Sequence, residues 1–274
     1  MRLNPFVVAI LLVTILVLQG CSATQSPSII LVRGICSSND DRADWASGVA
    51  EVLIENLDFA DDKSDRQSPR ILEYGYSPDG WSQIYSPGDT LNSIDKSVKN
   101  LSSIYEDYPE EEFVIIAHSL GGVVALRALA LELETGGGDV SDRTKAIFAI
   151  SSPVLGLDET QTTLGRLLIA ITACNSELLT RGNSVLDDLS SDSSTVKSLQ
   201  RSDWGETKVT LVHNRADRLI DFNYRLVPPS VRTVCVDLRN NGSVLNHDAP
   251  LRDENFTLAM IDEVISNENR LPIC

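Results

Sequence analysis

Residues 113–122 read Phe-Val-Ile-Ile-Ala-His-Ser-Leu-Gly-Gly, an apolar run that passes straight into a serine and out into a helical sequence. Phe113 to Ala117 has the short, continuous apolar character of a fully buried strand, and Val123 to Glu134 has the length and Ala/Leu/Glu content of a helix. Ser119 must therefore sit on a very tight turn. A sharp strand-to-helix turn lifts a hydroxyl clear of the sheet, and the start of the helix behind it favours developing negative charge. Ala117 and Gly121 flank the turn because the backbones on either side come close together. His118 adjoins the serine, but neighbouring side chains on such a turn point apart, so it is expected to pack beneath the site.

The rest of the chain repeats the alternation of strand and helix. Strands are predicted at Ser28–Val32, Arg70–Tyr74, Lys145–Ile150, Thr207–His213 and Val231–Val236. Helical spacing of apolar residues marks Asp40–Leu57, a stretch starting near Asp89-Thr90 and running through Leu91, Ile94, Val98, Leu101 and Tyr105, and Asn255–Ile265. The Gly136-Gly137-Gly138 run should stop the helix behind the serine. Strands separated by helices imply an α/β fold: a mostly parallel sheet of about six strands covered on both faces. The excursion from about 154 to 205 interrupts the pattern, with apolar stretches at Leu164–Ala173 and Val185–Leu189. It emerges at the carboxyl ends of the strands, where open α/β sheets place their sites, and is read as a helical lid or cap.

A nucleophilic serine needs a base, and the base needs a partner that fixes its tautomer. The chain has 3 histidines. His118 is in the turn and His213 ends a predicted strand upstream of any suitable acid, which leaves His247, in a loop between the last strand and the last helix. The acid is expected at the end of the preceding strand, at Asp217, with Asp221 and Asp237 as alternatives. The oxyanion of an acyl-transfer intermediate needs donors: the Leu120 N–H just after the nucleophile, and the Ile35 N–H after the first strand, where Gly34 permits the bend.

The N-terminus reads as an export signal rather than part of the fold. Met1-Arg2 is a cationic start and Phe6–Leu18 is apolar except for Thr14, too short a core for the ~20 residues of a spanning helix. Leu18-Gln19-Gly20-Cys21 resembles a bacterial lipobox. That resemblance implies cleavage after residue 20, diacylglycerol on the Cys21 thiol, a polar tether over 21–28, a catalytic domain over 29–274, and a location on the cell surface or the periplasmic face of a membrane. Without Arg2, 22 basic residues face 39 acidic ones, a net of −17. Such a surface repels nucleic acid and anionic headgroups, so no nucleic-acid partner is expected and the membrane would be held through Cys21 alone. Cys36, Cys174, Cys235 and Cys274 remain. They have no C-x-x-C metal spacing, and an exported location permits one or two structural disulfides, with the terminal Cys274 a candidate member.

With Ser119, Asp217 and His247 in that order, the chain resembles the α/β-hydrolase superfamily, and within it the lipases and esterases near the compact bacterial lipases and the GPI inositol-deacylase-like group. The resemblance also rests on Leu31-Val32-Arg33-Gly34-Ile35, on Ser151-Ser152-Pro153-Val154-Leu155-Gly156 and on the Leu179–Leu189 stretch. Arg33 stands where that family usually has His, and Ala117 where it usually has Gly. The resemblance implies a cofactor-independent, metal-independent serine hydrolase of carboxylic esters, with an ester or lipid as substrate. Two alternatives are an acyltransferase with the same triad and a non-catalytic surface lipoprotein that binds a partner.

Overall fold

The computed structural model describes residues 27–38, 70–158, 184–201, 203–220, 226–239, 245–266 and 269–274. The predicted signal and Cys21, the predicted helix over 40–57, the Leu164–Ala173 stretch, Cys174 and Asp221 lie outside the described residues.

Six parallel strands form one sheet in the order β2-β1-β3-β4-β5-β6. They are β1 (Ser28–Val32), β2 (Ile71–Glu73), β3 (Phe113–His118), β4 (Thr144–Ile150), β5 (Lys208–Asn214) and β6 (Arg232–Val236). Alternate residues of a strand point to opposite faces, and the apolar runs split accordingly. Ile30, Val32, Phe113, Ile115 and Ala117 enter one core, whereas Ile29, Leu31, Val114 and Ile116 enter the other. Continuous apolar strands are what a sheet buried on both faces requires.

The first core is closed by α1 (Ile94–Asp107) and α2 (Leu120–Thr135), followed by the short α3 (Asp139–Arg143). The second is closed by α6 (Ala249–Arg252) and α7 (Glu254–Ser266), through Leu251, Phe256, Met260 and Ile261. Two short helices of the excursion, α4 (Ser184–Asp188) and α5 (Ser194–Leu199), also pack on the first core: Val185, Leu186, Leu189, Val196 and Leu199 are buried.

One helix starts later than its periodicity suggests. Pro87–Leu91 closes as a separate 3-10 turn, Asn92 is extended, and α1 begins at Ile94. Ser93 stands at the N-cap without a side-chain capping bond; the Asp188 carboxylate of α4 accepts the Ile94 N–H at 2.9 Å instead.

The chain passes from β1 out to β2 and then back across to β3, so the order reverses between β1 and β3. A reversal of this kind, at the carboxyl ends of the strands, is the usual place for a site in an open α/β sheet. The C-terminal tail covers the far edge of the sheet. Cys274 is disulfide-bonded to Cys235 of β6, the Cys274 N–H donates to Thr233 O at 3.0 Å, and the Cys235 N–H donates to Pro272 O at 3.3 Å. Cys36 is also in a disulfide, with its partner outside the described residues.

Candidate active site

Ser119 lies between β3 and α2 with φ 52° and ψ −123°, a left-handed backbone that a non-glycine residue adopts only under constraint. The constraint is visible on both sides. Its N–H donates to Ile150 O of β4 at 2.9 Å, and a methyl group on Gly121 would meet Val32 O at 2.4 Å and Arg33 O at 2.6 Å. Only glycine lets α2 start this close to the end of β1. Gly34 passes equally close to the nucleophile: a methyl group there would come within 3.0 Å of Ser119 Cβ and 3.5 Å of its Oγ. The turn carrying Ile35 is thus held over Ser119. Leu120 opens α2 directly behind it, where a helix leaves its first N–H groups without intrahelical partners.

Asp217 and His247, 30 residues apart, meet through His247 Nδ1 and Asp217 Oδ2 at 2.7 Å. The carboxylate side chain is 1% exposed and the imidazole 14%. Burial by itself raises the Asp217 pKa, but the His247 hydrogen bond and charge, with the Leu219 and Ile220 N–H groups, hold it below the ordinary carboxylate value. An ionised Asp217 accepts the Nδ1 proton and leaves Nε2 as the basic nitrogen. That Nε2 is buried and makes no hydrogen bond among the described residues; bonds of this kind often tighten only around a substrate. Of the alternative acids, Asp237 lies beside Arg239 at 3.6 Å with its side chain 61% exposed, and Asp221 lies outside the described residues.

Two loops carry the pair, and side chains join them, Asn246 Nδ2 donating to Ala216 O at 3.3 Å and Asn214 making the larger set of bonds. Asn214, fully buried at the end of β5, donates to Leu238 O at 2.9 Å and Asn246 O at 2.8 Å, and accepts from the N–H groups of Leu238 at 2.9 Å and Ala216 at 3.3 Å. The Arg218 N–H donates to Leu245 O at 2.9 Å across the same gap. Sequence reasoning passed over Asn214. Its only signal was a polar residue ending a strand whose apolar residues are Val209, Leu211 and Val212.

Arg33 answers a second question that the sequence left open. It is 3% exposed, its Nη1 donates to Ser38 O at 2.6 Å, and its Nη2 reaches Glu73 Oε2 at 2.9 Å. Tyr76 Oη donates to Arg33 O at 2.7 Å, Ser37 Oγ donates to Gly34 O at 2.7 Å, and the Cys36 N–H donates to Thr90 Oγ1 at 2.8 Å. The guanidinium closes the 33–38 turn on itself and fastens it to β2. The residue that departs from the lipase pattern therefore supplies the support of this loop.

Solved structures match this architecture. Alpha/beta hydrolase domain-containing protein 10 from mouse is similar over 89% of this chain and 91% of its own, with a TM-score of 0.53 and 18% identity. Aspergillus fumigatus lipase B is similar over 92% of this chain with a TM-score of 0.54 and 12% identity; the match spans 54% of that longer protein. The chain has the α/β-hydrolase fold. No protein-family model matches it, and no curated protein does. Ser119 stands at the carboxyl end of β3, next to the point where the strand order reverses. Among the described residues no three His, Cys, Asp or Glu side chains gather as a metal site, and no helix is long and apolar enough to cross a membrane.

Proposed function

We propose that this protein is a serine hydrolase of carboxylic esters, acting on lipid-derived substrates from a lipid anchor in the bacterial cell envelope. The observation that carries the reading is the part-buried 2.7 Å pair of His247 and Asp217, whose imidazole lies 4.7 Å from the ring of His118, the residue before a serine of positive φ on a strand-to-helix turn. Ser119 Oγ attacks the acyl carbon while His247 Nε2 takes its proton. The Leu120 and Ile35 N–H groups receive the charge that develops on the carbonyl oxygen. The imidazolium, stabilised by Asp217, returns the proton to the leaving alcohol, and water then releases the acyl group from Ser119 by the reverse sequence.

Supporting the envelope location are the lipobox-like Leu18–Cys21 segment and the Cys235–Cys274 disulfide, which suits an oxidising compartment. A domain tethered by a few polar residues stays close to a bilayer and its ester lipids. The lipase among the proteins of similar fold accords with such a substrate.

A panel of p-nitrophenyl esters of graded chain length, assayed below and above the micelle threshold, tests the reading. Wild-type protein should hydrolyse the panel, with a rate rise where the longer esters form micelles, and Ser119→Ala should abolish turnover. Equal turnover by Ser119→Ala contradicts the assignment, and a monotonic preference for short soluble esters contradicts the lipid substrate. Labelled palmitate should enter wild-type protein in cells but not Cys21→Ala; equal incorporation contradicts the anchor.

A further inference from the structure

We infer that His118, the residue before the nucleophile, is a positioning residue that holds the catalytic histidine by its backbone. This rests on the hydrolase reading above and adds a residue to it. His118 is 7% exposed, and its Nε2 lies 3.2 Å from His247 O. A carbonyl only accepts, so Nε2 carries the proton and donates. The two imidazole rings lie tilted at 46° to one another, with 4.7 Å between centroids. On its other side the His118 Nδ1 would stand 3.3 Å from a methyl group on Gly34. The ring therefore fills the space between the turn that carries Ile35 and the loop that carries His247, immediately beneath Ser119.

The chemistry fits a neutral spacer. During turnover His247 becomes positively charged, and a second charged imidazole with its centroid 4.7 Å away would oppose that step. Burial, and next the nearby His247, lower the His118 pKa from 6.5 to about 3, so His118 stays neutral while its neighbour cycles. Its hydrogen bond fixes the His247 main chain from below, as Asp217 fixes the side chain from the opposite end. Both anchors are needed for Nε2 to face a hydroxyl held on a rigid turn, because a misplacement of about 1 Å can cost about 10²-fold in rate.

The test compares His118→Leu, which keeps bulk but loses the donor, with His118→Gln, which keeps a donor at a similar reach. Wild type and Ser119→Ala are run alongside. Expected are a kcat lowered about 10-fold or more in His118→Leu with KM within about twofold, and recovery to within about threefold of wild type in His118→Gln. Hydrogen exchange at the amides of His247, Asp248, Ala249 and Leu251 should quicken in the leucine variant and not in the glutamine variant. Wild-type kcat in His118→Leu, or an equal fall in both variants at unchanged exchange, overturns the inference. If the leucine variant does not fold, the glutamine variant decides: near-wild-type turnover supports the role, and a large loss in a folded protein overturns it. Exchange is read without turnover, so an inactive wild type or an active Ser119→Ala refutes the hydrolase reading while the exchange data still judge His118.

Discussion

Asp217 and His247 illustrate what one residue can do once its surroundings fix its charge. The carboxylate is 1% exposed and held ionised, so Asp217→Asn keeps the shape while reversing the hydrogen-bond sense. Turnover should fall about 10³–10⁴-fold, with a modest loss of thermal stability at neutral pH because the contribution of the ionised carboxylate goes with it, read from kcat and melting temperature together. Arg33 acts at one remove. Arg33→Met should lower kcat about tenfold or more by loosening the Gly34–Ile35 turn, with the rate of Ser119 labelling falling in step; an unchanged kcat would show that the turn holds itself. Asn214→Ala leaves buried carbonyl and N–H groups of two loops without partners and should cost about 2–3 kcal/mol in denaturant unfolding. The pairing of His247 with Asp217 was legible in the sequence because a base and its acid are needed as particular residue types in a particular order. Asn214 and Arg33 were not, because their value lies in contacts between distant segments: Asn214 reaches 32 residues along the chain and Arg33 reaches 40.

Elements show the same division between local and distant causes. β3 and α2 were readable because apolar continuity and helix formers agree with the structure over nearly every position. The strand predictions lie within one residue of the observed ends at β3, β4, β5 and β6. The start of α1 was misread because its apolar spacing continues through Leu91, whereas Pro87 and the extended Asn92 divide the segment. The cap that defines the true start comes from Asp188, 94 residues downstream, which no local pattern announces. Asp188→Ala should cost about 1 kcal/mol, measured by chemical denaturation, and should loosen α4 as well as α1. The short α3 followed a glycine run that sequence reading took simply as a stop.

Across the whole molecule, stability and activity share residues. His118 binds a proton at 6.5 when unfolded but only at about 3 when folded, so acid favours the unfolded chain between those values. Asp217 has a depressed folded pKa, and its contribution is present above 3.8 and lost as pH falls through the folded value. The groups facing His118, namely His247, Asp217 and Asp248, modulate this window. The urea midpoint should therefore decline as pH drops below 6.5, and His118→Leu should flatten that decline; identical slopes would contradict the assignment. At the far edge, the Cys235–Cys274 bridge spans 39 residues and pins the tail over β6. By loop-closure entropy its removal in Cys274→Ser should cost about 4 kcal/mol, or a melting temperature lower by about 10 °C. The central claim is that Ser119 is an activated nucleophile, and covalent labelling reads it most directly. A fluorophosphonate probe should label the native protein at one site, mass spectrometry should find the adduct on Ser119, and His247→Ala should nearly abolish labelling. An unlabelled native protein, or an adduct retained in Ser119→Ala, would contradict the account.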